Sequence, residues 1–283
     1  MPDDRTIFPF ATSGNLGVVI GGCDFSNRLH RDLNVRFSNV KFFSWSNPDD
    51  ERKIRLIDPT NLTEVMGIFD EEGVLAVLNA GEVHVELLKQ QMVRMHGSSP
   101  DLISRCEALF ASPRDFYRDY GLQLFGAGID VVSLRHAFPD FRMEPGQRGL
   151  HALPEWVGER MSTLKAQAID ACDRDRPGAI AQAVVFDLRR KGNITAYVET
   201  QTTDQLLTGL PRKKRGAYRI LVKIKPKQIP EHVDDPQIGL RTIEVAREAG
   251  VQAIALDALC GVVIDRAETI ALADLAGLAI VGI

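Results

Sequence analysis

IGLRTIEVAREAGVQAIALDALCGVVIDRAETIALADLAGLAIVGI, residues 238–283, alternates between helical and extended patterns. Apolar residues at helical spacing predict two helices, at 238–250 and 267–275. Short, continuous apolar runs predict three strands, at 251–256, 261–264 and 278–283. Strands that alternate with helices indicate a parallel sheet covered by those helices, so the predicted fold class is α/β.

The N-terminal half repeats this alternation. Residues 15–22 read NLGVVIGG, a β-branched run that ends in paired glycines and predicts a buried parallel strand before a tight turn. Residues 40–45 and 73–80 predict further strands, with a helix at 62–70 between them. Residues 121–132 predict a strand, a glycine-rich turn and a second strand. These elements predict an N-terminal Rossmann-like domain built on a parallel sheet.

Proline and glycine are concentrated at 138–154, where the apolar periodicity is weak. This composition predicts a linker between an N-terminal domain, 1–137, and a C-terminal α/β domain, 155–283. The length of 283 residues favours two domains. The elements predicted before the closing stretch are a helix at 155–173, a hairpin of strands at 181–188 and 195–199, and a strand at 218–224.

Composition disfavours several classes of protein. The net charge of -4 gives no overall attraction for nucleic acid, and the 4 cysteines contain no CxxC pair, which is typical of reduced thiols. No apolar run approaches the roughly 20 residues that span a bilayer, and the first residues lack the features of a signal peptide. We therefore predict a cytoplasmic protein that has no transmembrane segment and does not bind nucleic acid.

Gly21 and Gly22 follow the first predicted strand, where the backbone N–H groups of a turn can hold a phosphate. From Gly17 the spacing is G-x-x-x-G-G and not the dinucleotide pattern G-x-G-x-x-G, which disfavours NAD. Paired glycines at such a turn also allow close helix packing. Both interpretations of Gly21 and Gly22 stay open.

Basic residues are concentrated between Arg212 and Lys227. Lys223 and Lys225 alternate at the end of a predicted strand, so they are expected to share one face and contact the same anion. The basic run at 212–215 is interpreted as a solvated turn. The pattern predicts a phosphate site at the two strand lysines.

Three acidic residues follow apolar elements: Asp204 after Thr203, Asp234 in VDDP, and Asp257 after a strand. Carboxylates at strand ends suit Mg²⁺, which takes oxygen ligands and bridges to substrate phosphates. Asp234 or its neighbour Asp235 is equally suited to cap the helix that Pro236 opens. The residues alone leave these two roles of Asp234 open.

Several motifs occur in a family-specific order. They are QAVV at 182–185, TD at 203–204, KP at 225–226, VD-x-P-x-IG at 233–239, TIE-x-A at 242–246 and GL-x-IVG at 277–282. In these motifs the chain resembles the LpxI-type UDP-2,3-diacylglucosamine pyrophosphatases of lipid A biosynthesis.

The resemblance implies a hydrolase with two α/β domains and its site in the cleft between them. Such an enzyme cleaves a UDP-linked acylated sugar to UMP and a lipid sugar 1-phosphate, using Mg²⁺ or another divalent cation. The lipid substrate implies peripheral contact with the inner membrane. Asp234 falls on the aspartate that the family needs, with Lys223 and Lys225 as further catalytic residues.

The remaining roles follow from the residue patterns above taken together with the resemblance. The expected metal ligands are Asp234, Asp204 and Asp257. The expected substrate-binding residues are Gly21, Gly22, Gln182, Thr203 and Gly239. Some family motifs are replaced in this chain, for example by Glu82-Val83-His84 where the family has Arg-Pro. The alternative is therefore a non-catalytic relative that binds a nucleotide-sugar or lipid and regulates a pathway.

Overall fold

The computed structural model is an α/β protein, which confirms the predicted fold class. Among the described residues, those up to Ser133 form one compact unit and those from Leu134 onward form another. The structure describes residues 14–20, 32–35, 37, 39–45, 54–80, 93, 97, 100, 101, 104, 113–174, 181–192, 194–199, 202–227 and 235–283.

The first unit is built on a five-stranded sheet in which every strand pairing is parallel. Its strands are β1 (Asn15–Ile20), β2 (Val40–Ser44), β3 (Ile54–Leu56), β4 (Val74–Ala80) and β5 (Asp130–Val132). Their order across the sheet is β3-β2-β1-β4-β5. The first five strands of a Rossmann-type sheet have this order, so the predicted Rossmann-like sheet is confirmed.

Two helices, α1 (Leu62–Glu71) and α2 (Pro113–Gly126), pack against this sheet. Phe69 of α1 meets Phe43 of β2 edge to face, with ring centroids 4.8 Å apart. Residues 121–126 continue α2, so the strand predicted at the start of 121–132 is wrong. Leu124 is fully buried one turn after the buried Tyr120, and both join the same core, so the segment has one apolar face with helical spacing.

The second unit contains a six-stranded mixed sheet. Its strands are β6 (Gly146–Arg148), β7 (Ala183–Leu188), β8 (Thr195–Val198), β9 (Tyr218–Lys223), β11 (Ala253–Leu256) and β13 (Ala279–Gly282). Their order is β6-β13-β11-β9-β7-β8. The central strands β13, β11 and β9 pair in parallel, whereas the β6–β13, β9–β7 and β7–β8 pairings are antiparallel. Two short strands, β10 (Gln237–Ile238) and β12 (Val262–Val263), pair in parallel beside it.

Helices cover both faces of this sheet. They are α4 (Glu155–Gly158) and α5 (Met161–Asp173) on one face and α6 (Thr203–Thr208), α7 (Leu240–Glu248) and α8 (Arg266–Leu275) on the other. A further short helix, α3 (Leu134–Ala137), precedes the 3₁₀ helix at Pro139–Phe141. Leu221 of β9 packs in the core beneath α6, α7 and α8, whereas Val222 packs in the core beneath α4 and α5. Alternate residues of a strand thus face different helix layers. In the described part of the chain, no helix combines the length and apolarity that a membrane span requires.

The segment 138–154, predicted to be a linker, contains regular structure. It holds a 3₁₀ helix at Pro139–Phe141 and the strand β6, which pairs with β13 at the edge of the second sheet. The pairing partner of β6 lies more than a hundred residues away, so local composition gave no sign of it.

The helix predicted at 155–173 is interrupted after Gly158. Arg160 lies at the interruption, where its guanidinium donates to the carbonyls of Arg189 and Arg190 in the β7–β8 turn and lies over the Trp156 ring. These contacts anchor the break between α4 and α5.

Gly282 of β13 is expected to tolerate no larger residue. A Cβ atom there would overlap the carbonyl oxygen of Glu144, which belongs to rigid backbone. We expect Gly282→Ala to lower the free energy of unfolding by about 1–3 kcal/mol in urea titrations. Gly158→Ala is the matched control, since no described atom lies within 4 Å of the added Cβ. An equal stability of the two variants would contradict this account of Gly282.

Candidate active site

Several predicted residues lie at one edge of the six-stranded sheet, where the parallel strands end. Lys223 is the last residue of β9 and pairs in register with Leu256 of β11 and with Ala183 of β7. Because β7 runs antiparallel to β9, its beginning lies at this same edge, and Gln182 accepts the Ile224 N–H there. Ligands of α/β proteins bind at the carboxyl ends of parallel strands.

A buried hydrogen-bond network at this edge is centred on Glu199, just beyond β8. Its Oε2 accepts from the backbone N–H of Gln182 at 2.6 Å and of Ala183 at 3.0 Å. Its Oε1 accepts from the hydroxyl of Thr203 at 2.8 Å. Glu199 is 3% exposed, so these hydrogen bonds replace those that the carboxylate would make with water.

Thr203 joins this network to Lys223. The Lys223 Nζ donates to Thr203 Oγ1 at 2.8 Å. Since the hydroxyl proton is donated to Glu199, the oxygen lone pairs of Thr203 are available to the ammonium. Among the described residues, Thr203 is thus the hydrogen-bond partner of the Lys223 ammonium. Two of the three N–H donors of the ammonium remain for an anion. The structure brings the predicted residues Gln182, Thr203 and Lys223 together.

Lys225 has a different partner. Its Nζ lies 3.1 Å from Asp235 Oδ1, and the two side chains are 12% and 2% exposed. The other oxygen, Asp235 Oδ2, is buried and has no hydrogen-bond partner in the described part of the chain. Because β9 ends at Lys223, strand alternation does not determine where Lys225 points. That Lys223 and Lys225 contact one anion stays a prediction.

Asp257 follows β11 on the side of the sheet that α4 and α5 cover. Its Oδ1 accepts from Lys165 Nζ of α5 at 3.3 Å and from the Leu259 N–H at 3.1 Å. The preceding Leu256 packs on the opposite side, beneath α6, α7 and α8. Asp257 therefore belongs to a separate ion pair and not to the network of Lys223.

Asp204 lies in the first turn of α6 with its side chain 43% exposed. Its Oδ2 is 3.5 Å from Arg241 Nε, so Asp204 and Asp257 pair with different cations. Within the ranges that the structure describes, no group of three or more His, Cys, Asp or Glu side chains is arranged to hold a metal ion. Asp234 lies outside the described residues, and the roles of Asp204, Asp234 and Asp257 as metal ligands stay predictions.

This part of the molecule matches a known protein family. Residues 165–281 match the family model of the LpxI C-terminal domain. This segment is an LpxI C-terminal domain. The LpxI family is related to lipid A biosynthesis, so the resemblance seen in the sequence is confirmed over these residues. No curated protein matches the chain.

Gly239 lies at the N-cap of α7 in the LpxI C-terminal domain. Its φ of -151° is ordinary extended backbone, and an added Cβ would make a normal contact with Ile264 at 3.6 Å. The local structure therefore does not require glycine, and the substrate-binding role of Gly239 stays a prediction. Gly21 and Gly22 lie outside the described residues.

Two residues of this edge, Glu199 and Lys165, were not predicted to be site residues, and Asp235 was considered only as part of the VDDP motif. Like Asp257, Glu199 is an acidic residue directly after a strand, so the same sequence pattern could have identified it. It lies four residues before Thr203, and this spacing allows its carboxylate to accept the Thr203 hydroxyl at the start of α6. Lys165 gave no signal, because it is one cation among the polar residues of an amphipathic helix.

Cys260 lies close enough to this edge of the LpxI C-terminal domain for its carboxylates to shift the pKa of the Cys260 thiol. Burial, together with the negative charges of Asp257 and Asp235, raises the pKa of its thiol to about 12. The thiol is therefore protonated at neutral pH, and a protonated thiol is a poor nucleophile. Chemistry at this edge is expected to rest on lysine and carboxylate groups.

Proposed function

We propose that the protein hydrolyses the pyrophosphate of UDP-2,3-diacylglucosamine, or of a related UDP-sugar, to UMP and a lipid sugar 1-phosphate. The observation that carries the proposal is the LpxI C-terminal domain at residues 165–281. In the reaction a water oxygen bonds to one phosphorus, the bond from that phosphorus to the bridging oxygen breaks, and the bridging oxygen leaves on the other phosphate. The place of this reaction is lipid A biosynthesis.

The lysines supply the positive charge that this reaction needs. Negative charge increases on the leaving phosphate in the transition state, so a fixed cation there lowers the barrier. Lys223 is held by Thr203 and keeps donors for the diphosphate. Lys225 would exchange its contact with Asp235 for a substrate phosphate. Asp234 is proposed, from the resemblance, to position the attacking water or a metal ion.

A divalent cation, typically Mg²⁺, belongs to the proposal through the resemblance. The described carboxylates Asp204 and Asp257 do not fit a common metal site, since each pairs with its own cation. We therefore derive no catalytic step through the metal. The substrate, a UDP-linked acylated sugar, would bring the protein into peripheral contact with the membrane that holds its acyl chains.

Purified protein with Mg²⁺ is expected to release UMP from UDP-2,3-diacylglucosamine, measured by phosphorus NMR. In ¹⁸O-labelled water the label identifies the phosphorus that is attacked. Asp234→Ala is expected to abolish release while the melting temperature stays nearly unchanged. Asp170→Ala is the matched control, because that carboxylate is 71% exposed in a surface ion pair with Arg174.

Two further measurements test the proposal. EDTA is expected to stop UMP release, and added Mg²⁺ to restore it. Absence of release with every divalent cation would overturn the proposal. If a UDP-sugar then still binds in calorimetry, the protein is the non-catalytic, regulatory relative.

A further inference from the structure

In the sheet of the first unit, the chain first adds strands on one side of β1 and then, from β4 onward, on the other side. From β1 the chain adds β2 and then β3 toward one edge, and then adds β4 and β5 on the other side of β1. In open α/β sheets the connections diverge at such a point, and the carboxyl ends of its two strands border a crevice. Nucleotides bind in crevices of this kind.

Among the described residues, a polar side chain lies near this point, at the end of β4. Asn79 is the penultimate residue of β4 and pairs in register with Val19 of β1. Its Nδ2 atom is buried, and no acceptor in the described part of the chain bonds to it. A buried amide N–H without a partner has lost its hydrogen bonds with water. An acceptor atom of a ligand would restore them.

Tyr120 of α2 contacts the other polar atom of the Asn79 side chain. Its hydroxyl donates to Asn79 Oδ1 at 3.3 Å. Tyr120 is 1% exposed, and burial raises the pKa of its hydroxyl, so the hydroxyl keeps the proton that it donates. The Trp45 and Phe116 rings hold the Tyr120 ring, with centroids 5.5 Å and 6.0 Å away. With Oδ1 used, Nδ2 is the donor that remains for a ligand.

We propose that the first unit binds a nucleotide at the carboxyl ends of β1 and β4, where Asn79 Nδ2 donates a hydrogen bond to a nucleotide oxygen. Tyr120 is the positioning residue, because it acts only through Asn79. The identity of the nucleotide, a uridine nucleotide, rests on the proposed function. A buried neutral donor recognises a carbonyl or phosphate oxygen without introducing a charge.

Calorimetry with UMP and the full chain tests this inference. Asn79→Asp replaces the donor by an acceptor with negative charge, so we expect the affinity for UMP to fall at least about tenfold. Tyr120→Phe removes only the hydroxyl that orients the amide and is expected to lower the affinity about threefold to tenfold. Asn61→Asp is the matched control, because it makes the same change at the exposed N-cap of α1 and is expected to leave the affinity unchanged.

The outcomes separate this inference from the proposed function. UMP binding that depends on Asn79, in a protein that releases no UMP from UDP-2,3-diacylglucosamine, supports the nucleotide site and overturns only the hydrolase. UMP release with equal UMP affinity in wild type and Asn79→Asp overturns only the site. Absence of UMP binding to the wild type also overturns the site. If Asn79→Asp fails to fold by its melting curve, Tyr120→Phe decides, and an unchanged affinity there overturns the inference.

Discussion

Replacing Arg219 by methionine is expected to lower the free energy of unfolding by about 3–5 kcal/mol. Arg219 is 1% exposed, and its Nε and Nη2 donate to both carboxylate oxygens of Asp187 at 2.6 Å and 2.7 Å. Its guanidinium also donates to the carbonyls of Ala249 and Pro211. Methionine fills much of the volume but leaves the buried carboxylate of Asp187 without its cation, which causes most of the loss.

Urea unfolding followed by circular dichroism measures this loss. Arg174→Met is the matched control, because Arg174 is 69% exposed and pairs with Asp170 on the surface of α5, where an ion pair contributes at most about 1 kcal/mol. The double variant Arg219→Met/Asp187→Leu removes both charges and is expected to recover most of the stability. A loss below about 1 kcal/mol for Arg219→Met alone would contradict a stabilising role of this pair.

The sequence predicted the elements with strong local patterns and missed those that depend on distant partners. The predicted strands at 251–256 and 278–283 correspond to β11 and β13, because continuous apolar runs are typical of central parallel strands. The strands β6 and β10 have three and two residues, so periodicity cannot reveal them. They exist because β13 and β12 offer backbone partners.

The same limit applies to the candidate site. Lys223 and Thr203 were predicted separately, and the structure joins them through a hydrogen bond. Glu199, which holds Thr203, was missed because its function depends on backbone N–H groups that only the pairing of β7 with β8 brings near. Asp257 was predicted to share a metal with Asp204, and in the structure its carboxylate contacts Lys165 of α5, whereas Asp204 pairs with Arg241. That placement requires the exact end of β11, which a sequence pattern defines only within a few residues.

Lys223→Met is expected to lower kcat/KM for the proposed hydrolysis by about 10²–10³-fold, the range for loss of one group that stabilises transition-state charge. The effect should fall mainly on kcat, because the cation acts on charge that increases in the transition state. Methionine keeps the length and the apolar stem of the buried side chain while it removes the ammonium. Steady-state rates of UMP release, measured well below the melting temperature, give both constants.

Thr203 distinguishes a positioning role from a structural one. Thr203→Val keeps the shape but removes the hydroxyl that links Glu199 to Lys223, so we expect a smaller loss of kcat, about tenfold. Thr203→Ser restores the hydroxyl and is expected to return kcat to within about threefold of the wild type, although it lacks the methyl group. Equal rates for the valine and serine variants would mean that Thr203 only packs α6 against the sheet. Lys223 would then have to be oriented by the substrate and not by the protein.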